Sequence, residues 1–300
     1  MDIEAFFRQL DGLFAARQLE TVEPFLQQSL QLAQQQGDLA AQVSVYNEIV
    51  GYERSIGRHR EAVEAAWSAL QLLTKMGLSD SIHAATTYLN GATAYRMAGK
   101  QEEALEWYMQ ALRIYKRELP EHDYRMASLY NNISSLYQEM GEIKSALFCL
   151  EEALGIISRI PDTEIEQAIT HTNLALAYLK AGQSEEAYRH IRAALQIFEE
   201  RPGERDIHYS AALAALAQYY SSKKQYPDAI AVYEKARAET ALIYGKTQYY
   251  TVMSENLALV YEEMGDTRMA ELIRQQAAEA RSNWEETAET DGRQLSGMEL

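Results

Sequence analysis

The chain has 300 residues, of which 47% are hydrophobic and 24% charged, and its formal net charge is −16. This composition excludes a disordered chain. The acidic balance argues against nucleic-acid binding, which requires a basic surface to neutralise phosphates, and against binding to anionic membranes.

The N-terminal sequence MDIEAFFRQL has no basic region followed by an apolar stretch, so it does not resemble a signal peptide. No apolar run approaches the roughly 20 residues needed to cross a bilayer. Cys149 is the only cysteine, which excludes an internal disulfide and is typical of a reducing compartment. These features predict a soluble, cytoplasmic protein.

Residues 3–36 predict a first helical hairpin. The sequence aligns with the repeats that follow when Arg17 is placed at the turn, with Val22 and Ser29 where the later repeats have alanine. Because a terminal repeat presents one side to solvent, we interpret residues 1–38 as a degenerate N-terminal capping hairpin.

Residues 39–281 carry an alanine pattern with a period of 41 or 42 residues. The alanines are Ala62, Ala104, Ala146, Ala187, Ala229 and Ala270, and each is followed seven residues later by a second alanine. A turn residue lies five positions before each one: Gly57, Gly99, Gly141, Gly182, Lys224 and Gly265. We expect Lys224 to give a slightly different turn. The period predicts six hairpins, at about 39–79, 80–121, 122–162, 163–205, 206–246 and 247–281.

Alanine at these positions predicts close helix crossings, because a methyl side chain lets two backbones approach. Residues 282–300 lose the period and become polar, which predicts a tail or linker. The last four residues, GMEL, resemble the opening of an uncharacterised bacterial domain family with a nucleotidyltransferase-like appearance.

The repeat resembles the tetratricopeptide repeat. A small residue precedes a tyrosine by three positions in five repeats: Ala92–Tyr95, Ser134–Tyr137, Ala175–Tyr178, Ala217–Tyr220 and Ala258–Tyr261. The first repeat departs from this pattern, with Val50 and Glu53. The period exceeds the usual 34 residues, and LYNNISSLY (129–137) and THTNLALAY (170–178) are similar to segments of kinesin-light-chain-type and bacterial members. The resemblance implies an all-α fold, a right-handed α-solenoid of stacked antiparallel helix hairpins.

Asparagine recurs nine residues before the turn, at Asn90, Asn132, Asn173 and Asn256. The resemblance implies that an amide in this register binds the main chain of a peptide in the concave groove, because it offers both donors and an acceptor. The alternative is that these amides bond to the neighbouring repeat and shape the stack.

Further groove positions follow from helical spacing. Asn47 and Asn131 lie ten residues before their turns, and Arg54, Arg96 and Lys180 lie just before theirs. Arg and Lys beside Asn predict a clamp for a carboxylate or an acidic peptide segment. At the other end, Glu255, Glu262 and Glu263 make the groove acidic. The alternative is that all these charges are solvated on exposed helix faces.

The sequence predicts no catalytic residue, no metal ligand and no cofactor. It has no Walker loop and no GxGxxG motif, and Cys149 is expected to be a buried apolar side chain. No two histidines have a metal-ligand spacing; they are His59, His83, His122, His171, His190 and His208.

We therefore expect a non-catalytic scaffold that binds a protein or peptide, and neither nucleic acid nor membrane. Two alternatives stay open: the recruiting or regulatory module of a larger bacterial enzyme with a nucleotidyltransferase-like domain beyond Leu300, and a peptide-sensing regulator. The latter would need an effector such as a helix-turn-helix domain, for which residues 1–36 are too short and too repeat-like.

Overall fold

A computed structural model describes residues 1–16, 18–201, 203, 206–246 and 248–290. Within these ranges the chain forms fourteen α-helices and no strand, so the predicted all-α class is confirmed. The helices are α1 (Ile3–Ala15), α2 (Leu19–Gln35), α3 (Leu39–Ser55), α4 (His59–Lys75), α5 (Ile82–Met97), α6 (Gln101–Glu118), α7 (Tyr124–Glu139), α8 (Ile143–Ile157), α9 (Glu164–Lys180), α10 (Ser184–Glu200), α11 (Ile207–Ser222), α12 (Tyr226–Tyr244), α13 (Gln248–Met264) and α14 (Thr267–Thr290).

The helices fall into two compact units, Met1–Glu121 and His122–Thr287. In the first unit α3 packs on α4 and α5 on α6, and in the second α7 packs on α8, α9 on α10 and α11 on α12. Neighbouring hairpins of a unit stack, since α4 contacts α5, α8 contacts α9 and α10 contacts α11. Each unit is thus a row of helical hairpins.

The alanine pattern marks the helix crossings. All twelve alanines of the pattern are buried, and none is more than 2% exposed. A larger side chain at any of them would push two helices apart. The interior of each hairpin is therefore set by the residues from which the period was derived.

The turns inside the hairpins share one hydrogen-bonding pattern. At Gly57, φ is +76°, the Gly57 N–H donates to the Arg54 carbonyl, and the Arg58 N–H donates to the Glu53 carbonyl. This is the Schellman arrangement, in which a left-handed residue ends the helix. The expectation of a different turn at Lys224 is wrong: its φ is +59°, and the same two bonds form.

The first hairpin packs on α3. Phe6 and Leu10 of α1 form one buried cluster with Val22 and Leu26 of α2 and with Val45 of α3. The predicted turn residue Arg17 lies outside the described residues. The assignment of residues 1–38 to a cap stays a prediction.

At the other end of the chain, α14 continues past Arg281 to Thr290, so the segment predicted as a polar tail begins inside this helix. Residues 291–300, with the GMEL sequence, lie outside the described residues. The assignment of residues 282–300 to a tail or linker stays a prediction.

An interior glycine of α5 has a packing role that the period does not reveal. A Cβ atom on Gly91 would lie 2.3 Å from the Trp107 Cζ3 atom and 2.9 Å from the Ala66 Cβ atom. The Trp107 ring therefore lies directly on the backbone of α5, in space that only glycine leaves open.

Candidate functional site

The best candidate site is a polar cleft between α7 and α9, the first helices of two successive hairpins in the second unit. We define it by Asn131 and Asn132 of α7 and by Thr170 and Asn173 of α9. Its empty volume is about 580 Å³ and is continuous with solvent. The cleft brings together three of the predicted asparagines.

Helical periodicity explains why these side chains share the cleft. On α7, Ser128 and Asn132 are four residues apart, and so are Asn131 and Ser135. On α9, Thr170 and Asn173 are three residues apart. Residues at these spacings lie on one face of a helix, so each helix carries a polar stripe. Leu129, Ile133 and Leu136 of α7 are buried. The N-terminus of α7 is fixed by Asp123, whose carboxylate accepts the Arg125 N–H at 2.9 Å.

Asn131 connects the two repeats. Its Nδ2 atom donates to the Ala127 carbonyl and to the Thr170 hydroxyl, both at 3.2 Å. Its Oδ1 atom accepts a long bond of 3.5 Å from the Asn173 Nδ2 atom. The amide of Asn131 is therefore used between repeats, which is the alternative role that we considered for the asparagines of the neighbouring register.

Asn132 and Asn173 keep hydrogen-bonding groups for a ligand. Asn132 donates one N–H to the Ser128 carbonyl at 2.9 Å. Among the described residues, the Oδ1 atoms of Asn132 and Asn173 accept no hydrogen bond, and each amide has a second N–H to donate. Both side chains are partly buried and line the solvent-filled cleft.

The cleft has opposite charges near its two ends. Glu166 lines it beside Tyr124, where burial and then the Glu166 charge raise the pKa of the tyrosine hydroxyl. Lys180 lies seven residues beyond Asn173, roughly 10 Å along α9. Its Nζ atom donates to the Gln138 Oε1 atom at 3.3 Å, and within the described residues it forms no ion pair.

In the first unit, Arg54 of α3 and Arg96 of α5 lie close to the same Tyr108 hydroxyl. Burial lowers the pKa of Arg54, and the nearby positive charge of Arg96 lowers it further. The Tyr108 hydroxyl is hydrogen-bonded to Thr93 at 2.9 Å and also to Arg96. Arg54 has no ion pair among the residues that the structure describes. The two predicted cations thus lie near each other, and their role in binding an anion stays a prediction.

The other predicted asparagines, Asn47, Asn90 and Asn256, lie outside the polar cleft. Asn47 donates to the Val43 carbonyl at 3.1 Å, and its buried Oδ1 atom has no partner. Asn90 and Asn256 are partly buried, and within the described part of the chain their side chains make no hydrogen bond. Neither lines the polar cleft.

The acidic end predicted for the groove is largely neutralised. Glu255 pairs with Arg281 at 2.7 Å, Glu262 pairs with Arg274, and Glu263 accepts a bond from the Ser221 hydroxyl. The prediction missed these partners because α14 supplies both arginines.

The histidines are not all scattered. His171 of α9 and His190 of α10 lie with their Nδ1 atoms 2.8 Å apart. Burial, followed by the charge of His190, lowers the pKa of His171 to about 4, and burial also lowers the pKa of His190. Sequence reasoning missed this pair because it considered only spacings along a single helix.

Within the described residues, no three or more histidine, cysteine or acidic side chains are arranged to hold a metal ion. No helix in that part of the chain is both long enough and apolar enough to span a membrane.

Comparisons with known proteins give one family. The tetratricopeptide repeat matches residues 44–117, 83–159 and 166–238, which together make up more than half of the chain. A curated relative, kinesin light chain-related protein 1 of Arabidopsis thaliana, is 24% identical over 160 residues, or 53% of this chain and 26% of the relative. The chain thus spans about a quarter of the length of that relative.

Two solved structures have a similar fold. The apo form of RapI has a TM-score of 0.70 at 15% identity, over 93% of this chain and 97% of that chain. NprR in complex with its cognate peptide NprX has a TM-score of 0.62 at 16% identity, over 98% and 83%. At such identities the likeness shows the fold alone.

Proposed function

Because the chain belongs to the tetratricopeptide repeat family, we propose that it is a non-catalytic scaffold that binds an extended segment of a protein or a peptide. The observation that carries this proposal is the polar cleft, where Asn132 and Asn173 have unused hydrogen-bonding groups beside a channel open to solvent.

The chemistry of the cleft suits a main chain better than a particular side chain. Each peptide unit has one N–H and one carbonyl, and a carboxamide can pair with both. Asn132 and Asn173 lie on the first helices of successive hairpins, α7 and α9, and both line the cleft. They are therefore suited to bind different peptide units of one extended chain.

One solved structure of this fold supports a peptide as the ligand. NprR is described in complex with its cognate peptide NprX. A stack of hairpins of this kind can therefore hold a peptide, and the polar cleft is the place where we expect this chain to do so.

The test begins with a peptide selected from a random display library on the wild-type protein. Its affinity is then measured by calorimetry for wild type and for the double variant Asn132→Ala/Asn173→Ala. We expect the double variant to bind about 10- to 100-fold more weakly, since each hydrogen bond contributes roughly 0.5–1.5 kcal/mol.

The matched control is Asn256→Ala, which removes the same amide in the same register of α13, outside the polar cleft. We expect it to bind as wild type does. Equal affinities for wild type and the double variant would contradict the placement of the peptide.

In the first unit, Arg54 and Arg96 support a preference for an acidic segment. Two neighbouring guanidinium groups repel each other, and a carboxylate beside them relieves this repulsion while accepting charge-assisted hydrogen bonds. An acidic side chain of the ligand is the group that we expect to lie there.

This preference has its own test. A glutamate-rich peptide should bind the variant Arg54→Gln/Arg96→Gln at least tenfold more weakly than it binds wild type. Added salt should weaken peptide binding to wild type more than peptide binding to this double variant. Arg60→Gln is the control, because Arg60 is exposed and pairs with Glu64. If the salt dependence were the same in the double variant and wild type, this part of the proposal would fail.

A further inference from the structure

We propose that Arg237 and Lys246 form a binding site for a carboxylate group, in a cavity lined by α12, α13, α14 and the connection between the first two. The site lies in the second unit and shares no residue with the polar cleft. It therefore does not depend on the peptide binding that we propose for the cleft.

Arg237 interrupts the repeat at a position that is apolar elsewhere. Eight residues after the first alanine of the pattern, four of the six repeats have leucine and the last has alanine: Leu70, Leu112, Leu154, Leu195 and Ala278. The fifth repeat has Arg237, whose side chain is only 14% exposed. A buried charge is costly where an apolar side chain packs well, so an arginine here indicates a role other than packing.

The arginine lines a cavity that can hold a small ligand. Its empty volume is about 640 Å³ and is continuous with solvent. Besides Arg237 of α12, the lining residues are Lys246, Tyr250 of α13, and Gln276, Glu279 and Ala280 of α14. A volume of this size is typical of pockets for small organic molecules.

One aromatic ring holds both cations at the cavity. The guanidinium carbon of Arg237 lies 5.3 Å from the centroid of the Tyr250 ring, and the Lys246 Nζ atom lies 5.7 Å from the same centroid. Both distances allow attraction between a cation and the ring. Tyr250 is buried, so its ring gives the two positive charges a fixed support.

The positive charge of the site is only partly neutralised. The Arg237 Nη2 atom lies 3.5 Å from a carboxylate oxygen of Glu234, and the Nη1 atom has no hydrogen-bond partner among the described residues. Lys246 is exposed and, within the same part of the chain, has no ion pair. An anion in the cavity would reduce the repulsion between the two cations and accept charge-assisted hydrogen bonds.

The surroundings favour a carboxylate over a phosphate. The two oxygens of a carboxylate match the planar fork of a guanidinium group. Glu279 of α14 also lines the cavity, and Glu234 lies beside Arg237. These carboxylates repel a phosphate dianion more strongly than a singly charged carboxylate. The Gln276 amide can donate one further hydrogen bond.

The test is an NMR titration of the full chain at pH 7 that follows the backbone amide signals of Tyr250 and Ala280. The probes are acetate, N-acetyl-alanylalanine, the amide of this dipeptide, and inorganic phosphate. We expect both carboxylates to bind saturably, phosphate to bind at least tenfold more weakly, and the amide not to bind. Tighter binding of the dipeptide than of acetate would assign the site to the end of a peptide, and otherwise a free organic acid is the ligand.

The variant Arg237→Leu restores the residue of the other repeats, so it should fold at least as well as wild type, which circular dichroism and thermal unfolding verify. We expect it to bind either carboxylate at least tenfold more weakly, and Lys246→Gln, at an exposed position, at least threefold more weakly.

Lys235→Gln is the matched control. Lys235 belongs to the same helix, and its Nζ atom lies 5.5 Å from the centroid of the Tyr209 ring, but it does not line the cavity. This variant should bind as wild type does. The proposal would be overturned if neither carboxylate bound saturably, if phosphate bound as tightly as acetate, or if wild type and either site variant had equal affinity.

Discussion

The Gly91→Ala substitution tests how the first unit is packed. It adds a single methyl group to an interior position of α5, where helix propensity alone would favour alanine by about 1 kcal/mol. The structure predicts the opposite sign, because the new Cβ atom would lie 2.3 Å from Cζ3 and 2.7 Å from Cε3 of Trp107.

The magnitude follows from what Trp107 contacts. To reach an ordinary distance of about 3.4 Å, the ring must move by about 1 Å. Trp107 makes edge contacts with Trp67, Tyr88 and Tyr95 at centroid distances of 5.0–5.4 Å. Overpacking costs about 1–3 kcal/mol, and each disturbed aromatic contact up to about 1 kcal/mol more. A total near 3 kcal/mol, less the gain in helix propensity, leaves a loss of about 2 kcal/mol.

The assay is urea unfolding followed by tryptophan fluorescence in a Trp284→Phe background, which leaves only Trp67 and Trp107 as reporters. Gly51→Ala in α3 is the control: its Cβ would meet no atom within 4 Å, so we expect it to stabilise the unit by up to about 1 kcal/mol. If Gly91→Ala were as stable as wild type, the close approach of Trp107 to α5 would be refuted.

Three further predictions concern the second unit. Lys224→Gly should stabilise it by about 1 kcal/mol in thermal unfolding, because φ is +59° there; Lys224→Ala, which keeps the strain, should give no gain. Asn131→Ala should destabilise it by about 1 kcal/mol in urea unfolding, since three hydrogen bonds of the side chain are lost, whereas Asn256→Ala should not. Burial lowers the pKa of His171 from 6.5 to about 4, so the unfolded chain binds a proton that the folded chain does not. The stability from neutral His171 is therefore complete above pH 6.5 and lost as the pH falls towards 4; identical melting profiles for wild type and His171→Gln would contradict this.

The repeat fold was predictable because its signal occurs six times. The alanine and tyrosine pattern implied the tetratricopeptide repeat, and the family match confirms it. The features that were not predicted, or were predicted wrongly, depend on residues that occur in a single repeat. Gly91 does not recur, and its role depends on Trp107 of the next helix. The Lys224 turn is like the others because a lysine can adopt a left-handed φ for about 1 kcal/mol.

The candidate site was predictable in its residue types but not in its hydrogen bonds. Two adjacent registers of the repeat placed three asparagines in one cleft, but they did not show that the Asn131 amide is already used. The sequence does contain a pattern that could have predicted the histidine pair. His171 lies eleven residues before the turn residue Gly182 and His190 lies eight after it. Positions at similar distances from a turn face each other in an antiparallel hairpin.

The consecutive residues Asn131 and Asn132 have different hydrogen-bond partners, which their positions in the repeat did not predict. Successive residues of a helix point about 100° apart, so one amide faces α9 and bonds to Thr170, while the other keeps its Oδ1 atom open to the channel. Hydrogen bonds between residues one full period apart, Asn131–Asn173 and Gln138–Lys180, join α7 to α9 at two positions along the helices. Asn173, which we propose to bind a ligand, is thus held by the amide of Asn131. This argues that α7 and α9 form a preorganised site, so the ligand need not order them when it binds.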